Sequence, residues 1–330
     1  MRVTRSATEP RIRIDVLVED EDRRAELYDA TFWSLRATPR ELPAVWLYDE
    51  QGSLLFDEIT RLPEYYPTNA EREILTARAA EIAELTHGRT LVELGAGTSE
   101  KTLLLLDALS AAGTLERFAP LDVSEEVLRA SAEAIAERYP AISVHGIVGD
   151  FERDLRAIPP GDCRMIAFLG STVGNLYPER RAKLFQAIAS ALAPGDSFLL
   201  GVDLVKDPAV IERAYNDSRG VTEQFVRNGL THANRELKAD FVQERFAFDA
   251  HWDAEHEWMD IGFRAIEAHT VRVAELEVEF DLAEGERLRV EVSSKFRQDR
   301  IEAGLAAAGL QLTGWWTDEA TRFALLLATG

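Results

Sequence analysis

Short apolar runs alternate with amphipathic segments from about residue 90 to residue 205, and this alternation restricts the chain to a parallel, doubly wound sheet. The first unit is Thr90-Leu-Val-Glu-Leu-Gly-Ala-Gly-Thr-Ser-Glu-Lys-Thr102. Residues 91–94 read as a buried strand, the chain turns at Gly95 and Gly97, and Ser99 is placed to cap a helix over residues 101–109. Glycine lets the backbone turn tightly and approach a ligand that a Cβ would block. Glu100 stands where the dinucleotide pattern has its third glycine, and Glu93 adds a second carboxylate. Both disfavour a pyrophosphate on the helix N-terminus. They suit a ligand carrying positive charge, such as the amino-acid end of S-adenosylmethionine (SAM), with its ammonium and sulfonium. An ordinary strand–helix turn carries the same two glycines, so this stretch alone leaves both readings open.

The units that follow repeat the pattern. Residues 117–122 read as a second strand ending in Asp122, a carboxylate placed to take both hydroxyls of a ribose. Ser124 is expected to cap a helix over 125–138, which Pro140 stops. Residues 142–148 form a third strand, followed by Gly149-Asp150-Phe151. Residues 165–170 form a fourth, followed by Ser171 to Leu176; a helix over 178–192 and a strand over 197–205 complete the run. Ligands of such sheets bind at the carboxyl ends of the strands, and Glu93, Asp122, Asp150, Asn175 and Asp203 all fall there.

The flanking segments differ. Ile12, Ile14, Val16 and Val18 alternate as an edge strand or a loose arm, and residues 21–35 read as a helix. In residues 61–68 two prolines flank Tyr65 and Tyr66, which predicts an extended segment, with a helix over 70–85 after it. From 206 onward the pattern changes. One helix is predicted over 207–228, carrying Tyr215 and Thr222; residues 241–258 read as irregular and aromatic-rich. Residues 271–280 and 288–296 alternate as strands about a turn at 283–286. Glu291, Ser293 and Lys295 share one face of the second strand, either a solvated face or the wall of a polar pocket. A helix over 298–309 and strands over 312–316 and 323–328 end the chain, the last two as an antiparallel pair completing the sheet.

Composition excludes several partners. The net charge of −21 argues against nucleic acid and against anionic membrane surfaces. A single cysteine, Cys163, rules out disulfides within the chain and suggests a cytoplasmic protein. His87, His145, His232, His251, His256 and His269 lack ligand spacing, so no metal is expected. Nothing in the pattern argues for oligomers, and a monomer is expected.

The motifs together resemble one family, the histidine-specific, SAM-dependent Nα-methyltransferases that make hercynine for ergothioneine biosynthesis. The resembling stretches are Leu47-Tyr-Asp, Thr60 to Thr68, Leu91 to Thr102, Gly149-Asp-Phe151, Phe168 to Leu176, Val202 to Asp207 and Glu291-Val-Ser-Ser-Lys-Phe296. The resemblance implies an α/β class I SAM-methyltransferase fold: a Rossmann-like, doubly wound sheet with an antiparallel C-terminal strand pair, plus a smaller α+β substrate-binding domain. The SAM-binding domain would comprise residues 71–205 and 296–330, the substrate-binding domain 20–70 and 206–295, and residues 1–19 an N-terminal arm.

Carried over position by position, the resemblance places SAM against Tyr48, Gly95, Lys101, Asp122, Asp150 and Phe151, with Asp122 on the ribose and Asp150 on the adenine amino group. Asn175 and Tyr215 would hold the carboxylate end of histidine, and Asn175 and Tyr48 would sit at the reacting amine. Tyr65, Glu291 and Ser293 would recognise the imidazole, with Thr222 helping through water. Methyl transfer from a sulfonium is an in-line displacement that needs alignment and desolvation more than a strong base. Neutral groups such as Tyr48 and Asn175 suit it, because a carboxylate beside the amine would keep it protonated. Ile261 stands where a methionine packs in relatives, and Ser294 replaces a cysteine. The alternative substrates are tryptophan and tyrosine; Glu291 favours an imidazole N–H. A nicotinamide-dependent oxidoreductase and a non-catalytic SAM-binding protein are further readings. Glu100 opposes the first, and Tyr48, Asn175 and Tyr215 together oppose the second.

Overall fold

The computed structural model describes residues 11–17, 20–97 and 101–330. Its strands are β1 (Ile12–Val16), β2 (Arg40–Glu41), β3 (Thr90–Leu94), β4 (Arg117–Asp122), β5 (Ser143–Val148), β6 (Arg164–Phe168), β7 (Ser197–Asp203), β8 (Phe246–Asp253), β9 (Trp258–Ala265), β10 (His269–Val273), β11 (Val278–Leu282), β12 (Arg287–Ser294), β13 (Gln311–Thr317) and β14 (Phe323–Thr329). Its helices are α1 (Asp20–Ser34), α2 (Glu50–Thr60), α3 (Tyr66–Thr86), α4 (Thr102–Ala111), α5 (Glu125–Arg138), α6 (Pro178–Ala191), α7 (Pro208–Tyr215), α8 (Val221–Leu237) and α9 (Gln298–Ala307). Among the described residues no helix is long and apolar enough to cross a membrane.

Eight strands form the large sheet, in the order β1-β5-β4-β3-β6-β7-β14-β13. The first six are parallel, while β14 and β13 are antiparallel. The order reverses between β3 and β6, which opens a crevice at their carboxyl ends. Alternate residues feed opposite faces. Leu91, Phe118 and Met165 join one apolar cluster, and Val92, Ala119 and Ile166 join the other. Both faces are covered, as a parallel sheet requires.

A second sheet runs β2-β12-β9-β8, and β10 and β11 form a separate hairpin. A third cluster, including Leu35, Trp46, Tyr215, Phe225 and Phe263, packs α2, α7 and α8 against this sheet. The backbone steps out of register on β12 between Arg289 and Glu291. Such a bulge re-aims the side chain that follows it, and here it sets Glu291 opposite Ile261.

Several expectations need correction. Tyr66 and Pro67 are not extended but open α3, with Tyr65 at its N-cap. Proline is tolerated in a first helical turn, where its missing amide is not needed. The helix expected over 207–228 is two, α7 and α8, broken at Gly220, whose φ of 67° no helix can continue through. The irregular stretch 241–258 contains β8 and runs into β9, and the strand expected over 271–280 folds back on itself as β10 and β11. Ser124 makes no side-chain cap. The alternating N-terminal segment is an edge strand, β1, paired with β5. The Ser99 cap, Glu100 and Val18 lie outside the described residues.

Candidate active site

At the carboxyl edge of β3, Gly95 and Gly97 take φ values of 67° and 48°, so the turn there rests on glycine. The Gly97 amide donates to Asp122 Oδ2 at 3.0 Å and the Ser124 amide to Oδ1 at 2.9 Å. Two backbone donors thus fix the Asp122 carboxylate beside the glycine turn. Asp150 follows β5 and accepts from the Glu152 amide at 2.9 Å, with Arg153 Nε 3.4 Å from its other oxygen. The Phe151 ring lies 4.9 Å from that of Phe168, at the end of β6. Lys101 pairs with Glu71, a fully buried carboxylate that also accepts from the Gly170 amide at 2.8 Å. Sequence reasoning missed Glu71, which ties α3, the glycine turn and the end of β6 together. Glu93 is buried and accepts from Thr102 Oγ1, so it joins β3 to the start of α4.

The other wall comes from the second sheet and its helices. Asn175 closes a short 3₁₀ turn after β6, and its Nδ2 donates to Glu291 Oε1 at 2.7 Å. A Cβ on Gly174 would lie 2.8 Å from the Ser294 carbonyl oxygen. Only glycine lets this turn press so closely on β12. Tyr177, two residues beyond Asn175, donates to Glu41, and Arg289 bridges Glu41 at 3.2 Å and Asp260 at 2.9 Å. This polar latch holds the Asn175 turn, β2, β9 and β12 in one arrangement.

Tyr215, the last residue of α7, has its hydroxyl 2.9 Å from Ser293 Oγ, and Lys295 Nζ reaches both oxygens at 2.7 and 2.8 Å. Ser293 and Lys295 are each only 4% exposed, so that face of β12 is a buried polar wall and not a solvated surface. The rings of Tyr215 and Tyr65 lie 6.0 Å apart, and Phe56 links Tyr65 to Tyr48 at 6.4 and 5.8 Å. Thr222 Oγ1 is buried beside the Asp217 carboxylate without a well-formed hydrogen bond, while its amide donates to Asp217 Oδ2 at 2.8 Å. Ile261 is buried as the cross-strand neighbour of Glu291. Ser294 is buried too, with its backbone against Gly174.

Electrostatics sort these groups by charge. Burial pushes the Glu291 carboxyl up to about 7, against the opposing pull of Lys295 and of the Asn175 hydrogen bond. Burial, and then neighbouring acidic groups, hold the Tyr48, Tyr65 and Tyr215 hydroxyls well above the ordinary tyrosine range, so all three are neutral. Tyr48 keeps 44% of its surface accessible, as expected of a side chain lining an open hollow. The site therefore offers neutral phenols and an amide on one side and a carboxyl that titrates near neutrality on the other. Among the described residues no three His, Cys, Asp or Glu side chains gather as a metal site.

All the expected site residues thus lie at the carboxyl edge of the large sheet or on the wall facing it. Lys206, like Glu71, was not foreseen; Asp203 was singled out only as a carboxylate at a strand end, and Lys295 only as part of the polar face shared with Glu291 and Ser293.

Comparison with known proteins identifies the family. Residues 27–330 match the family described as histidine-specific methyltransferase, SAM-dependent. The chain is 52% identical over 294 residues to a histidine N-alpha-methyltransferase of Mycobacterium tuberculosis (strain CDC 1551 / Oshkosh), spanning 89% of this chain and 92% of that protein. It is 51% identical, over the same shares, to the histidine N-alpha-methyltransferase of Mycolicibacterium smegmatis. It is 33% identical to ergothioneine biosynthesis protein 1 of Neurospora crassa, over 84% of this chain and 32% of that protein. The family profile covers nearly the whole chain, including both walls of the site, and the protein belongs to the SAM-dependent, histidine-specific methyltransferases.

Proposed function

We propose that the protein transfers methyl groups from SAM to the α-amino group of L-histidine, three in succession, giving hercynine, the first step of ergothioneine biosynthesis. One observation carries the reading beyond the family: Asn175, at the edge of the SAM-side sheet, hydrogen-bonds Glu291, on the facing sheet. This contact puts the group assigned to the amine and the group assigned to the imidazole side by side in one polar site where the two sheets meet. Methylation of tryptophan or tyrosine is not favoured, because an indole or phenol leaves the Glu291–Ser293 pair half used.

In this reading residues 71–205 and 296–330 bind SAM, and residues 20–70 and 206–295 bind the amino acid. Asp122, held by two amides, has the position and the two oxygens to take a ribose diol. Asp150 and Phe151 take the adenine, and Gly95 and Lys101 border the amino-acid end of SAM. SAM supplies an electrophilic methyl group on sulfur. The chain aligns the amine with it and excludes water.

Tyr48 and Asn175 face the amine as neutral groups, so they orient its lone pair without holding it as ammonium. Tyr215 takes the substrate carboxylate, and Tyr65, Glu291, Ser293 and Thr222 take the ring. Each round requires the amine to lose a proton and rotate, and the accessible face of Tyr48 leaves room for added methyl groups. Incubation with SAM and histidine, followed by fragmentation of the product, tests the proposal. All added mass should lie on the α-nitrogen; methylation of the ring would refute it.

A further inference from the structure

The Tyr48 side chain is held through its ring alone. Among the described residues its hydroxyl has no protein hydrogen-bond partner, while the ring meets Phe56 at 5.8 Å and Phe225, on α8, at 5.3 Å. Yet the chain on both sides of Tyr48 is fixed by α8. His232 Nδ1 donates to the Trp46 carbonyl oxygen at 3.0 Å, and the two rings meet edge to face, 5.1 Å apart. Leu47 is fully buried; a Cβ on Gly52 would lie 1.7 Å from its carbonyl oxygen, and one on Gly229 2.9 Å from its side chain. Asp49 caps α2 through the Gly52 amide at 2.9 Å, and the same carboxylate accepts from Asn228 Nδ2 at 2.7 Å and Arg235 Nη2 at 3.1 Å. Burial alone would raise the Asp49 carboxyl, but these three donors outweigh it and hold it below the ordinary aspartate range. Asn228, Gly229, His232 and Arg235 share one face of α8, and that face is the bed on which the Tyr48 segment lies.

A tyrosine placed by its neighbours in this way keeps its oxygen free for the substrate. The amine changes from round to round. Neutral histidine has two N–H bonds beside the lone pair that takes the methyl group, Nα-methylhistidine has one, and Nα,Nα-dimethylhistidine has none. Asn175 turns its Nδ2 to Glu291, which leaves Oδ1 to accept one amine N–H. Tyr48 Oη is then the acceptor for the second. In the last round no N–H remains, and neither oxygen can orient the amine by accepting a hydrogen bond.

We propose that Asn228, acting through Asp49, is a positioning residue that holds Tyr48 as the acceptor for an N–H of the substrate amine, and that it matters most for the first methyl transfer and least for the third. This deepens the reading above and rests on histidine being the substrate, with its amine at Tyr48 and Asn175. Asn228 acts here without touching substrate or SAM.

The test is single-turnover kinetics at saturating SAM, started separately from histidine, Nα-methylhistidine and Nα,Nα-dimethylhistidine and followed by product mass. Losing one oriented hydrogen bond corresponds to about threefold to tenfold in rate. Asn228→Ala should show that loss from histidine, a smaller one from Nα-methylhistidine, and less than about twofold from Nα,Nα-dimethylhistidine. Tyr48→Phe should give the same ordering, and adding Asn228→Ala to it should cost histidine less than about twofold more. If Asn228→Ala does not fold, Asp49→Asn decides in its place: it keeps an oxygen for the Gly52 amide but gives up the charge that draws Asn228 and Arg235. Equal slowing of all three substrates is what a general disturbance of the fold would give, and it overturns the proposal. No slowing, or a full further loss in the double variant, overturns it too. A wild-type enzyme that methylates none of the three refutes the histidine reading itself, whereas wild-type turnover of all three with no ordering in the variants overturns only the role of Asn228.

Discussion

Glu291→Gln is expected to stabilise the folded protein at pH 8 and to change it little at pH 5. The carboxyl rises from its ordinary 4.5 to about 7, chiefly through burial. A raised carboxyl pKa means that the folded state binds a proton the unfolded state has lost, so between these two values stability falls as pH rises. At pH 8 both states are ionised, and the full difference corresponds to roughly 3 kcal/mol. At pH 5 the carboxyl is protonated in the fold and about three-quarters ionised in the unfolded chain, and the cost is under about 1 kcal/mol. Glutamine keeps an oxygen for Asn175 and removes the charge. Partial solvent access around Glu291 screens part of the effect, so a gain of about 1–2 kcal/mol at pH 8 is expected. Urea unfolding of both proteins at the two pH values measures it. A loss of stability at pH 8, or an equal change at both pH values, would refute the reasoning. The same variant should lose its preference for histidine, because the acceptor for the ring N–H is weakened.

Three further outcomes follow from the geometry. Gly174→Ala places a methyl group against the Ser294 carbonyl oxygen, and should cost about 1–3 kcal/mol of stability and displace Asn175. Thermal unfolding and turnover should both fall, and an unchanged kcat would contradict the close approach. Asn175→Ala should reduce kcat about a hundredfold through lost alignment of the amine. It should also raise the Glu291 carboxyl further, since Asn175 now lowers it; a pH titration of the protein would report this. Asp122→Asn should weaken SAM binding by roughly tenfold to a hundredfold, as measured by calorimetry, with little effect on histidine affinity at saturating SAM.

Much of this was legible in the sequence because it is local. The glycine turn, the carboxylate at the end of β4 and the five parallel strands from β3 to β7 follow from apolar runs and turn residues within a few positions. What was not legible depends on contacts distant in the chain. Pro67 looks like a breaker until it is seen in the first turn of α3. The break between α7 and α8 rests on Asp217, whose carboxylate accepts from the amides of Arg219, Val221 and Thr222. The polar face of β12 reads equally as solvated or buried, because burial is decided by α7 and by Asp203, 92 residues upstream of Lys295. The Arg289–Asp260–Glu41–Tyr177 latch joins four separate segments and has no signature in any one of them.

The central claim is that this site methylates histidine, fully and selectively. It is tested most directly by one competition experiment, in which the protein is incubated with SAM and equal concentrations of histidine, tryptophan and tyrosine, and product masses are followed over time. The account predicts a histidine product carrying three added methyl groups, with the other two amino acids unchanged. Methylation of tryptophan or tyrosine in preference to histidine would contradict the roles given to Glu291 and Ser293, and the absence of any methylated amino acid would contradict the account as a whole.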